Sequence, residues 1–101
     1  MAEYITVAKV ADLTAGSGKV VEANGKSVAL FNVNGTFYAI DNTCRHRGGP
    51  LGEGTLEGND VTCPWHMWEY DVTTGELTAN REIKVATYSV QVEGDEVRIA
   101  V

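Results

Sequence analysis

The sequence predicts an all-β protein: an antiparallel base, sandwich-like or barrel-like, that carries a smaller inserted region. Short runs rich in β-branched and aromatic residues recur along the chain. Asn-Gly pairs, which favour tight hairpin turns, separate consecutive runs at residues 24–25 and 34–35. The only helix-like stretch, residues 10–13, is too short to be more than a turn.

The first forty residues are expected to form a meander, in which each strand pairs with the next. The two Asn-Gly pairs fall between the last three runs and predict two hairpins. The predicted strands are residues 4–8, 19–22, 27–33 and 36–40.

From Asp41 to about Trp68 the regular alternation stops, and glycine recurs at positions 48, 49, 52, 54 and 58. A glycine-rich loop allows the backbone to approach a bound group and to direct N–H donors toward it. A plain surface loop is the alternative, although loops of this length in a compact domain are usually functional. Residues 60–62 are predicted to form a short strand that returns the chain.

The last third of the chain again favours strands and turns. A strand at 69–72, a turn at 73–75 and a returning strand at 76–78 are predicted first. The clearest alternation then follows in residues 88–93 and 96–101, which flank a Gly94-Asp95 turn. We expect a single domain over residues 1–101, with the inserted loops at residues 42–70.

Charge and hydropathy exclude several classes of partner. The 101 residues include 8 basic and 14 acidic side chains, which give a net charge of −6. Nucleic acid and anionic membranes are therefore unexpected partners, because both need basic surface. An acidic carrier suits a basic docking patch, although excess acid also serves solubility alone. The start of the chain lacks the layout of a signal peptide, so a cytoplasmic protein is expected. A monomer is expected as well.

Both cysteines and both histidines lie in one stretch, as Cys44-x-His46 and Cys63-x-x-His66. Two thiolates and two imidazoles in matched pairs indicate a metal site. A structural zinc ion uses the same residue types but usually wider spacing within each pair. In extended backbone, residues 44 and 46 point to the same side, which suits two adjacent irons better than one ion. A 2Fe-2S cluster with one cysteine-bound and one histidine-bound iron fits this order.

The segments CRHRGGPL at 44–51 and CPWH at 63–66 resemble the cluster-binding signature of Rieske proteins. The chain is most similar to the small ferredoxins that supply electrons to ring-hydroxylating dioxygenases. The resemblance implies that one 2Fe-2S cluster is bound, with Cys44 and Cys63 on the inner iron and His46 and His66 on the outer iron. It also implies two partners, a reductase, expected to be a flavoprotein, and a terminal oxygenase.

Three positions in and beside the ligand segments differ from patterns in this family. Met67 stands where glycine is usual, and Arg45 where proline or another small residue is common. Trp68 occupies the place of a serine that hydrogen-bonds to the cluster in respiratory Rieske proteins. Tyr70 matches a tyrosine that donates to a ligand sulfur in some members. Trp65, Trp68 and Tyr70 are expected to pack beneath the loops and to exclude water.

Several alternatives to an electron carrier remain open from the residues alone. The two cysteines could form a disulfide, which a cytosolic location disfavours. A single catalytic Cys-His couple would leave the second couple unexplained. The chain could also be a small Rieske-like subunit of a larger reductase, such as nitrite reductase, or a structural zinc or interaction module. No substrate pocket, nucleophile or acid-base pair is evident, so no enzyme activity is expected.

The midpoint potential is expected near the low end of the Rieske range. The chain has no cysteine beyond the proposed ligands for a loop-bracing disulfide, and Trp68 replaces the serine donor, so the reduced cluster is less stabilised. We expect a value of roughly −150 mV rather than about +300 mV. A redox titration measures it, and a strongly positive midpoint would contradict the prediction.

Overall fold

The computed structural model describes residues 4–43, 50–64 and 68–100. Within these ranges the chain forms strands and two 3-10 turns, at Val10–Asp12 and Leu51–Glu53, and no α-helix. The strands are β1 (Tyr4–Lys9), β2 (Ser17–Ala23), β3 (Lys26–Val33), β4 (Thr36–Asp41), β5 (Thr55–Glu57), β6 (Asp60–Thr62), β7 (Glu69–Asp71), β8 (Glu76–Leu77), β9 (Asn80–Lys84), β10 (Thr87–Tyr88), β11 (Val90–Glu93) and β12 (Glu96–Ala100).

The central sheet has the strand order β10-β4-β3-β2 and is antiparallel. Both Asn-Gly pairs close two-residue hairpins within it, as predicted. Asn24 and Asn34 have positive φ angles of 53° and 51°, and the glycine after each is also positive. Two consecutive residues in this conformation are what a type I′ turn requires, and asparagine tolerates it better than other side chains with a Cβ.

A second sheet, of order β1-β12-β11, packs on one face of the central sheet. Its strands are antiparallel, and a bulge interrupts the register between Thr6 and Ala8. Val97 and Ile99 of β12 point inward and meet Val28 and Leu30 of β3 in a shared buried cluster. These two sheets form the antiparallel sandwich base that the sequence predicts.

Strand β3 is buried on both faces. Residues Val28 to Phe31 are all 0% exposed. Because side chains alternate along a strand, Val28 and Leu30 enter the core shared with the second sheet. Ala29 and Phe31 enter a different core on the opposite face. The central sheet is therefore the middle of three layers.

The third layer is a small sheet of order β5-β6-β7-β8-β9, also antiparallel. Val61, Tyr70 and Leu77 on consecutive strands β6, β7 and β8 supply its inward face and pack with Phe31 and Ile40 of the central sheet. This layer is the predicted smaller insertion. It continues past residue 70 to Lys84.

Three features of this arrangement were not predicted. Strand β5 lies inside the predicted loop, and β9 contains one partly buried hydrophobic residue, Ile83, so neither shows a clear pattern. The alternation of residues 88–93 predicts a single strand, but the chain changes sheet there. Strand β10 pairs with β4, whereas β11 pairs with β12. Alternation reports only that a strand is half-buried, and not which sheet it joins.

The small sheet brings three carboxylates into line across neighbouring strands. Asp60 of β6 lies opposite Glu57 of β5 on one side and Asp71 of β7 on the other. Burial, then the charges of Asp71 and Glu69, raise the pKa of Asp60. Although burial alone would raise the pKa of Asp71, hydrogen bonds from Thr73 and the charge of Arg81 lower it. Asp60 is therefore the carboxylate that folding disfavours in its charged form.

We expect Asp60→Asn to stabilise the protein at neutral pH by about 0.5 kcal/mol, because like charges on facing strand positions repel. The raised pKa means that charged Asp60 destabilises the fold above its folded-state pKa. Below its usual value of 3.8 the group is protonated in both states, so the advantage shrinks as the pH falls toward that value. Thermal unfolding between pH 7 and about pH 4 measures this difference.

The control is Glu82→Gln, which removes one negative charge from an exposed position of the same sheet. We expect it to change the melting temperature less than Asp60→Asn does. Equal gains in the two variants would mean that net charge, and not the cross-strand repulsion, is responsible.

Candidate metal centre

The first predicted ligand segment leaves and re-enters the described structure at a narrow neck. Thr43 and Pro50 form an antiparallel bridge, and the amide of Leu51 donates to the carbonyl of Asn42 at 2.7 Å. The carboxylate of Asp41 also accepts the amide of Thr43 at 3.0 Å. Cys44 and His46 lie between the two sides of this neck, outside the described residues. The bridge therefore holds Thr43 and Pro50, the residues on either side of this segment, about one strand separation apart.

The second predicted ligand segment begins at Cys63, directly after β6. The amide of Cys63 donates to the carbonyl of Trp68 at 2.7 Å, which closes a second neck just before β7. The side chain of Cys63 is only 1% exposed. His66 falls within residues 65–67 and lies outside the described residues. Of the four proposed ligands, the structure therefore describes Cys63.

The two necks meet in one buried cluster. Leu51, immediately after the first neck, and Cys63, at the second, both belong to the core between the central sheet and the small sheet. Tyr70 is fully buried in the same cluster, and Trp68 packs against it. Trp68 and Tyr70 are thus packing residues, as predicted, while Trp65 and most of the two ligand segments lie outside the described residues.

Two glycines fix the segment that joins the necks. A Cβ on Gly52 would lie 2.9 Å from the backbone of Lys19 in β2 and 2.8 Å from Val20. A Cβ on Gly54 would overlap the carbonyl oxygen of Thr62, the residue before Cys63. The turn between the necks is therefore held against the central sheet on one side and β6 on the other.

These contacts correct the expected role of the two glycines. The sequence predicts that the glycine-rich loop aims amides at a bound cluster. In the structure the Gly52 amide donates to the side chain of Asn42, and the Gly54 amide donates to the carbonyl of Leu51. Gly52 and Gly54 serve close packing between strands instead. Gly48 and Gly49 lie outside the described residues.

Acidic side chains surround the second neck. Glu53, Glu57 and Glu69 line a groove to which Cys63 and Pro64 also contribute. Negative charge beside a redox centre disfavours an added electron, which lowers the reduction potential. The same charge favours a partner with a basic surface.

The described residues fit an iron-sulfur cluster at this place. The Cys63 side chain lies in an apolar cluster with Leu51, Val61 and Tyr70, which excludes water from that side. Thiolate is the ligand that iron-sulfur clusters require, and both hydrogen bonding and exposure tune their potential. No helix in the described part of the chain is long and apolar enough to cross a membrane.

Asn42 is a contributor that the sequence analysis missed. Asn42 and Asn32 are the two buried polar side chains in the described part of the chain. The hydrogen bonds of the Asn42 side chain join the first neck to β3. The sequence around Asn42 does not distinguish it from other asparagines, because its side-chain hydrogen-bond partners are ten and fifteen residues away along the chain.

Comparison with known proteins agrees with this geometry. The model of the Rieske 2Fe-2S domain family matches residues 3–89. The ferredoxin component of the naphthalene 1,2-dioxygenase/salicylate 5-hydroxylase systems of Ralstonia sp is 37% identical over 91 residues, which cover 89% of this chain and 88% of that protein.

Two solved structures are similar over nearly the whole chain. The ferredoxin of carbazole 1,9a-dioxygenase from Nocardioides aromaticivorans IC177 has a TM-score of 0.90 and 29% identity, covering 96% of each chain. A chain in the complex of reduced oxygenase and oxidized ferredoxin in carbazole 1,9a-dioxygenase has a TM-score of 0.88 and 30% identity, covering 96% of this chain and 92% of its own.

The resemblance noted from the ligand segments is thus confirmed over most of the chain. The same match supports the cofactor, because the matching family model is that of a 2Fe-2S domain. The chain belongs to the Rieske 2Fe-2S domain family, and a single 2Fe-2S cluster is its cofactor.

Proposed function

We propose that this protein carries one electron at a time from a reductase to the terminal oxygenase of a ring-hydroxylating dioxygenase system. The observation that carries the proposal is the match to dioxygenase ferredoxin components over nearly the full length of both chains. The chain is an electron carrier and not itself an enzyme.

The proposed ligands are Cys44 and Cys63 for the inner iron and His46 and His66 for the outer iron. When bound, the cluster supplies reversible one-electron chemistry. The residues around Cys63 support this assignment, because a buried thiol suits the iron farther from solvent. Leu51, Val61 and Tyr70 exclude water from that side, which lowers the solvent reorganisation that accompanies a change of charge.

The proposed partners are a flavoprotein reductase and an oxygenase, each docking over the histidine side of the loops. The groove of Glu53, Glu57 and Glu69 beside the second neck supports a partner surface that is basic around its docking point. Such complementarity raises the encounter rate more than the affinity, which suits a carrier that must leave after each transfer. We also propose that the protein is a cytoplasmic monomer, as expected from its sequence.

Electron paramagnetic resonance of the dithionite-reduced protein tests the function, together with iron and zinc analysis. We expect two irons per chain and a reduced 2Fe-2S signal with the low average g-value of mixed histidine and cysteine ligation. A silent, colourless protein with one zinc per chain would mean a structural zinc module. A large haem-bearing or flavin-bearing chain that co-purifies in fixed ratio would instead indicate a permanent reductase subunit.

We expect His66→Cys, if the cluster assembles, to lower the midpoint potential, because thiolate donates more charge to iron than imidazole does. Protein-film voltammetry measures the shift, and the resonance spectrum should move toward that of an all-cysteine cluster. Glu82→Gln, on the far strand of the small sheet, is the matched control and should keep the wild-type spectrum. An unchanged spectrum in His66→Cys would remove His66 from the ligand set.

A further inference from the structure

Asn32 and Asn42 are the polar side chains that the described part of the chain buries almost completely, at 6% and 8% exposed. Each carboxamide both donates and accepts a hydrogen bond. Asn32 donates to the carbonyl of Leu13 at 2.8 Å and accepts from the amide of Gly35 at 2.7 Å, so it supports a hairpin of the base. Asn42 makes the corresponding pair of bonds at the neck of the first cluster loop.

Four hydrogen bonds converge on Asn42. Its backbone amide donates to the carbonyl of Ser27 at 3.2 Å, and its backbone carbonyl accepts from Leu51 at 2.7 Å. Its side-chain Nδ2 donates to the Ser27 Oγ at 3.1 Å, and Oδ1 accepts from the amide of Gly52 at 2.7 Å. One residue therefore ties the start of β3 to the chain on both sides of the loop.

The partners of Asn42 cannot shift easily. Gly52 is wedged against the backbone of β2, where no space remains even for a Cβ. Leu51 is fully buried in the cluster that also contains Cys63. The bonds between Asn42 and the Leu51–Gly52 segment therefore fix the first neck relative to Cys63 at the second neck.

We propose that Asn42 is a positioning residue for the cluster: its carboxamide holds the neck of the first ligand segment in place relative to Cys63. The inference rests on the proposed ligand set, in which Cys44 and His46 follow Asn42 in this loop. Outer-shell groups that orient ligands commonly change metal retention by about tenfold when removed.

Asn42→Ala leaves the buried Gly52 amide without its acceptor. We expect about tenfold faster loss of iron to a chelator than in the wild type. The resonance signal of the reduced protein should broaden, because a less constrained loop permits more ligand orientations. Hydrogen exchange read by mass spectrometry should accelerate in peptides that contain Leu51 and Gly52.

Asn32→Ala is the matched control, with the same residue type, similar burial and an equivalent pair of bonds. We expect it to lower the melting temperature yet leave the resonance signal and the chelator rate unchanged. Asn42→Asp retains the acceptor for Gly52 and should restore slow exchange at that amide. Ser27→Ala removes only the Nδ2 partner and should change the chelator rate less than Asn42→Ala does.

The proposal is overturned if folded Asn42→Ala keeps the wild-type signal and chelator rate, or if Asn32→Ala changes both as much. Should Asn42→Ala not fold, Ser27→Ala decides the matter, and a wild-type chelator rate in that variant would count against the proposal. A wild-type protein without a Rieske signal would instead refute the proposed function, which the resonance measurement reveals before any variant is made.

Discussion

The burial of β3 on both faces is the constraint on which the rest of the structure depends. Val28 and Leu30 complete the core of the base, while Ala29 and Phe31 complete the core beneath the ligand loops. Burying an aliphatic or aromatic side chain contributes about 1.5–3 kcal/mol, so one strand contributes to two cores that would each be small alone. The small sheet gains its stability largely by packing on this strand, since short antiparallel strands are marginal in isolation.

That shared strand also explains how two loops from different layers can serve one cofactor. The first loop leaves the central sheet after β4, and the second leaves the small sheet after β6. Their relative position is set by the turn from Leu51 to Gly54, which is packed against β2 at Gly52 and against β6 at Gly54. A larger residue at either glycine would force these segments apart, so the relative position of the two necks depends on close backbone contacts at Gly52 and Gly54.

Local and strongly directional signals were readable from the sequence, whereas long-range ones were not. The Asn24-Gly25 and Asn34-Gly35 hairpins follow from the conformations these residues tolerate, and the structure contains both. The paired spacing of cysteine and histidine likewise indicated a cluster, although three of those four ligands lie outside the described residues. The sheet change at Ser89 and the contacts of Asn42 depend on partners far along the chain, so no window of sequence contains them. The edge strand β9 was not predicted, because most of its residues face solvent and show no hydrophobic pattern.

Rigidity and charge place separate demands on an electron carrier, and different residues around the two necks meet them. Rapid transfer needs a redox centre whose surroundings change little between redox states, and the necks at Asn42–Leu51 and Cys63–Trp68 are held by backbone hydrogen bonds and burial. Brief partner contacts need exposed charge that salt screens readily, and Glu53, Glu57 and Glu69 provide it in the groove beside the second neck. Because Leu51 and Cys63 at the necks are buried and the carboxylates are exposed, surface charge is free to vary with the partner without disturbing the necks. Exposed carboxylates contribute little to stability and carry no ligand signature, so the ligand pattern indicates the cofactor but not the partner.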